Sequence, residues 1–155
     1  MDVVDRRALI HRLNRLCSRS LESAAGLCLS RTHYEVAIEH MLLRLLEDPT
    51  ADIQVILSHF EIEPARVQKA LQRALEEFKS GNAAKPVFSP RLIEWLQEAW
   101  LIGSIDLNLT EIRSGALFLA MVRDLGRFAY GFGEELLQPV RADELTHKFF
   151  DMTAK

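Results

Sequence analysis

The chain has little in it that would break a helix or cross-link a fold: seven glycines, five prolines and two cysteines in 155 residues. So few breakers exclude a loop-rich or collagen-like chain, and 48% hydrophobic with 26% charged residues excludes a disordered one. No run of 18 apolar residues occurs, so no membrane-spanning helix is expected. The charged start Met1–Arg7 leads into no apolar segment of signal-peptide length, and the cytoplasm is the expected compartment. Nineteen Lys and Arg against 22 Asp and Glu leave a formal charge of −3, without the basic excess of a dedicated nucleic-acid binder. Cys17 and Cys28 are eleven residues apart. On one helix that is about 16 Å, beyond the roughly 7 Å between Cα atoms that a disulfide allows, so both read as buried free thiols.

Chemical motifs are equally scarce. There is no Gly-x-x-x-x-Gly-Lys-Ser/Thr phosphate loop, no His-Glu-x-x-His, no Cys-x-x-Cys and no Gly-x-Ser-x-Gly elbow. The pairs Glu35/Glu39 and Glu94/Glu98 have helical i, i+4 spacing and read as solvated surface carboxylates rather than a catalytic couple. His40 reads as a buried imidazole hydrogen-bonded between helices. No catalytic residue and no metal site is expected.

What the sequence does have is helical periodicity, and the fold class is all-α. Apolar residues recur at spacings of three and four: Leu9, Leu13 and Leu16; then Leu21, Ala24, Ala25 and Cys28; then Met41, Leu42, Leu45 and Leu46. Glu63-Pro64 and Ser89-Pro90 read as helix starts with proline in the first turn. Gly81 to Pro90 is the one clear linker, and Gly103 to Thr110 reads as irregular. Trp95 and Trp100 stand about 140° apart on a helix. One is expected in the core and the other under the Gly103–Thr110 loop.

The two halves repeat. Ser89 placed on Ser18 sets Leu92 on Leu21, an offset of 71. At an offset of 76, Val36, Met41, Leu42, Leu45 and Leu46 meet Ile112, Leu117, Phe118, Met121 and Val122. At 78, Val67 and Leu71 meet Leu145 and Phe149. One domain, residues 1–155, is expected to hold two four-helix units related by a pseudo-twofold. The first covers about 18–81, the linker about 82–89 and the second about 90–152. Residues 4–16 have no counterpart and form an added helix.

Glu39-His40-Met41-Leu42-Leu43-Arg44-Leu45-Leu46 resembles the Glu-His-x-Leu-Leu-x-x-Leu-Leu signature of the Clp unfoldase N-domain. The leading helix, the linker with Gly81, Asn82 and Pro86, the Ala99-Trp100 pair and Ile112-Arg113-Ser114-Gly115 resemble its ClpV branch, from bacterial type VI secretion. The second half departs from the pattern, with Gly115-Ala116 in place of Glu39-His40. The resemblance implies a domain that docks the N-terminal helix of a contractile-sheath subunit, and an accessory protein with a similar helix is a further expected partner. It also implies AAA+ modules beyond this chain, with their own ATP and magnesium, in a hexameric parent. The fragment itself is expected to be a cytoplasmic monomer and not an enzyme, with no cofactor, nucleic acid or membrane of its own. The alternative is a general Clp N-domain that binds adaptors or unfolded chains on another surface.

An added helix in front of a complete fold creates a seam in which a partner helix can lie. The expected floor and walls are Leu9, Leu13, Leu16, Leu21, Ala24, Ala25, Cys28, Phe88 and Leu92, with Arg12, Arg15 and Arg19 at the rim. Three or four anchors at about 1.5–3 kcal/mol each, against an association cost of about 4–15 kcal/mol, predict micromolar affinity for one domain.

Overall fold

A computed structural model describes residues 5–154. Its elements in chain order are α1 (Arg6–His11), α2 (Arg15–Ser30), β1 (Glu35–Val36), α3 (Ile38–Leu46), α4 (Asp52–His59) and α5 (Pro64–Glu76), followed by β2 (Val87–Phe88), α6 (Pro90–Asp106), α7 (Ser114–Arg123), α8 (Leu125–Phe128), α9 (Ala142–His147) and α10 (Phe149–Met152). Helices make the fold, as the periodicity predicts, and the only strands among the described residues are two of two residues each.

Caps set the helix starts. Asp5 accepts from the N–H groups of Arg7 and Ala8 to open α1. Asn14 accepts from Cys17 N–H at 2.9 Å, and Ser89 from Leu92 N–H at 3.0 Å. Each satisfies one of the donors that a helix start leaves without a partner. Pro64 and Pro90 open α5 and α6, as predicted. The expected helix over residues 4–16 is corrected: α1 stops at His11, and Leu13 leaves the helical path to bridge Ile112. Leu16 therefore belongs to the first turn of α2, and the expected start at Ser18 lies inside that helix. Val4 lies outside the described residues. Gly103 is also helical, because α6 runs on to Asp106.

Two backbone bridges define the pseudo-twofold. Ser89 N–H donates to Val36 O at 2.9 Å, and Asn14 N–H donates to Ile112 O at 3.0 Å. Val36 pairs with Phe88 in a parallel register, and Leu13 pairs with Ile112 in parallel. Each bridge joins the residue before one repeat's first helix to the residue just ahead of the other repeat's second. Asn14 and Ser89 are the equivalent caps, so the first-helix offset is 75 rather than 71. That register sets Cys17 on Leu92, Leu21 on Leu96, Ala24 on Ala99 and Ala25 on Trp100. One continuous core runs from Leu9 to Phe149, and Trp95 is at its centre, its indole N–H donating to Leu117 O at 2.8 Å.

Candidate functional site

The seam expected beside the added helix is smaller than the sequence suggests. Ala24, Cys28 and Leu92 are completely buried, and Leu9, Leu13 and Leu21 are buried with them. These six are corrected from groove floor to core: the α2 stripe is consumed by packing on α3, and Leu92 by packing on α7. The domain's own side chains fill the space assigned to a ligand.

Leu16, Ala25 and Phe88 are half-buried and still open to solvent. They do not share one surface. Leu16 and Ala25 are nine residues apart, about 180° around α2. Leu16 and Arg19 instead line a shallow cleft of 330 Å³ with Arg44, Glu47 and Pro49. Ala25 faces the other way, one turn before Leu29, which is 56% exposed. The C-terminal end of α2 adjoins β1, and β1 carries β2 with Val87 and Phe88. Leu29 and Val87, which the apolar stripes do not mark, are exposed hydrophobic residues near this end of α2 and on β2.

The arginines also divide. Arg12 has its guanidinium carbon 4.6 Å from the centroid of Trp100, a cation–π contact that pins the end of α1 to α6. Trp100 therefore packs under the α1 end, not under the Gly103–Thr110 loop as expected. Arg15 is exposed, and Arg19 is at the Leu16 cleft. Of the three rim candidates, the contact places Arg12 at the edge of the α1–α6 seam.

Pseudo-symmetry allows the same position to be compared in the two repeats. α6 packs on α7 and also carries α1 across its Trp100 side. The equivalent side of α2 holds Ala25 in place of the indole and carries no comparably packed helix among the described elements. A large aromatic stands at this position in one repeat and a partly buried methyl group in the other.

His40 is fully buried, as expected, and its hydrogen bonds fix its protonation. Nδ1 accepts from Ala37 N–H at 2.9 Å, so the neutral ring carries its proton on Nε2 and donates to His33 Nδ1, also at 2.9 Å. This contact caps α3, whose N-cap residue is an alanine with no capping side chain. Burial, with His33 and Arg31 nearby, pulls the His40 pKa down to about 4. Burial pushes both thiols up, the reverse of the shift a reactive cysteine needs. Among the described residues no group of three or more His, Cys, Asp or Glu is placed to hold a metal ion, and no helix is long and apolar enough to cross a membrane.

Two bridged repeats of one helix order, with a histidine-capped α3, define a class. The family model of the Clp repeat (R) N-terminal domain matches residues 12–132, and the chain belongs to that family. More particularly, it is similar to the N-domain of ClpV from Vibrio cholerae, at 32% identity and a TM-score of 0.89 over 99% of this chain and 94% of that one. A complex of a ClpV N-domain with a VipB peptide matches at 33% identity and a TM-score of 0.89, covering 99% and 96%. The AAA+ ATPase ClpV1 of Pseudomonas aeruginosa is 26% identical over 151 residues, which is 96% of this chain but 17% of the ATPase.

Proposed function

We propose that this domain is the cytoplasmic docking module of a type VI secretion ATPase, and that it seats one amphipathic helix of a sheath subunit on the open side of α2. The observation that carries the reading is the match to a ClpV N-domain in complex with a VipB peptide, combined with the added helix α1 of this chain. Ala25 and Leu29 would form the floor and Phe88 and Val87 a wall. A helix with apolar anchors at i, i+3/i+4 and i+7 fits such a seat. Arg15, exposed at the start of α2, would orient a carboxylate on the partner, contributing about 0–1 kcal/mol. The domain binds and does no chemistry; ATP and magnesium would belong to modules outside this chain.

Weak binding suits the task. Micromolar contacts on single domains become effective when a hexamer meets a repeating polymer, because linked sites gain about 10²–10⁴ in avidity. An accessory protein with a similar helix would compete for the same seat. The test is a titration of the isotope-labelled domain with a synthetic peptide of the N-terminal helix of a VipB-type sheath subunit. Saturable amide shifts centred on Ala25, Leu29 and Phe88 are expected. Shifts centred on the Leu16–Arg19 cleft or on Tyr130 would overturn the site, and no saturable shift would overturn the function.

A further inference from the structure

Helix α5 carries Arg66, Lys69 and Arg73 at spacings of three and four, which sets them on one face over about 10 Å of helix. All three are exposed, and none has a side-chain hydrogen bond or ion pair among the described residues. Glu134 and Glu135 stand across from them, on the segment that joins α8 to α9, exposed and equally without a partner there. Between the two banks lies a cleft of about 740 Å³, floored by Ala70, Phe132 and Leu136, all half-buried. It runs into another of about 510 Å³, which shares Ala70, Arg73 and Phe132 with it, adds Ala74 and ends at Glu76 and Glu77. The two make one trough that follows α5 for about 16 Å, or three helical turns, from Arg66 to Glu77.

Shape and charge together select what fits. A second copy of this chain could match the charges about a twofold along the trough. Two concave surfaces laid face to face would leave a void, however, and their floors would not touch. A convex rod fills the space. Packed helices have axes about 8–10 Å apart, and the methyl groups of Ala70 and Ala74 admit a helix at the close end of that range. The floor is apolar, one bank is cationic and the other is anionic, so the rod must carry three different faces.

We propose that the trough seats an amphipathic helix of a protein partner, with carboxylates along the flank facing α5 and lysines or arginines along the flank facing Glu134 and Glu135. Carboxylates at i, i+3 or i+4 and i+7 match the spacing of Arg66, Lys69 and Arg73. Reversing such a helix exchanges its flanks and sets like charges against both banks, so the seat admits one direction. The trough shares no residue with the α2 seat and does not rest on the sheath-helix reading.

The probe is a hydrocarbon-stapled helix of two heptads, with alanine and leucine on the seated face, glutamate on one flank and lysine on the other. Control peptides carry glutamine, glutamate or lysine on both flanks. Each is titrated into the isotope-labelled domain. The mixed peptide is expected to give saturable amide shifts centred on Ala70, Arg73 and Phe132, and to bind at least fivefold more tightly than any control. Added salt should weaken it, because screening acts on exposed pairs. Arg73→Glu should lower its affinity about tenfold and Glu134→Lys about threefold, with the melting temperature held because both side chains are exposed. Joint Arg66→Glu, Lys69→Glu and Arg73→Glu substitution makes both banks acidic, and the preference should pass to the all-lysine peptide. Ala25→Trp should leave mixed-peptide binding unchanged. Equal binding of the glutamine peptide, tightest binding of the all-glutamate peptide, or an unchanged preference in the triple variant would overturn the proposal. So would shifts centred outside the trough, or no saturable shift.

Discussion

Where the first repeat has Glu39 in the opening turn of α3, the second has Gly115 in the opening turn of α7. A Cβ on Gly115 would lie 2.7 Å from the Phe149 ring and 3.1 Å from the Asp52 Cβ, so that turn is sealed by α10 and α4. Glu39 looks into an open cleft. The same division recurs on the first helices, with Trp100 buttressed by Arg12 on α6 and Ala25 left open on α2. In both places the second repeat's position is covered, by Arg12 over Trp100 and by Phe149 and Asp52 against Gly115, and the first repeat's is more open. The two repeats thus differ in how far equivalent positions are covered, and the smaller or unpaired residue stands in the first repeat each time.

Substitutions can break this asymmetry, and the largest effect is expected at Arg113. Its pair with Asp52 is mostly buried, and Asp52 also accepts from Gly115 N–H at 3.1 Å. Arg113→Ala strands a desolvated carboxylate and should cost about 3–5 kcal/mol in urea unfolding. The mirror change, Ala37→Arg, should stay within about 0.5 kcal/mol, because it enters open space.

Acid is the next lever. An unfolded His40 takes its proton near pH 6.5, whereas the folded one resists down to about pH 4. Stability from this site is therefore complete above pH 6.5 and is lost as pH falls toward 4, by an amount on the order of 3 kcal/mol. Denaturation between pH 8 and 4.5 should show the loss, and His40→Gln, whose second-repeat counterpart is Ala116, should flatten it. Gly115→Ala should cost about 1–3 kcal/mol through overpacking against Phe149, while Glu39→Ala should be nearly neutral in the same melt. The caps should behave alike: Asn14→Ala and Ser89→Ala are each expected to cost about 1 kcal/mol. A large inequality between them would mean that the two bridges are not equivalent.

Much of this was legible in the sequence. Apolar spacing shows the helices, and Ser89-Pro90 marks its own helix start. His40 reads correctly as a buried, hydrogen-bonded imidazole. The repeat register at the first helix does not, because 71 and 75 differ by four residues, about one helical turn. A slip of one turn keeps apolar on apolar, so Leu92 matches Leu21 as readily as Cys17. Only the cap geometry of Asn14 separates the two registers. The seat was misread for a related reason. Periodicity shows which face of α2 is apolar, but the core claims that face first, and Ala24, Cys28 and Leu92 go with it. Of that stripe Ala25 stays partly open, and Leu29 beside it, outside the stripe, is exposed. Leu13 leaves the helix only because Ile112 lies beside it, and no local spacing reveals a bridge to a residue so distant in the chain.

The central claim is that the open side of α2 is the partner's seat, and Ala25→Trp tests it most directly. The substitution copies Trp100 of the second repeat into the equivalent position of the first, and Ala25 is only partly buried at the edge of the core, so the melting temperature should hold within a few degrees. The measurement is the affinity of the VipB-type sheath helix peptide for the parent and variant domains by fluorescence anisotropy. The account predicts micromolar binding to the parent and a loss of at least tenfold in the variant. Equal affinity for the two, with both folded, would contradict it and move the seat off α2.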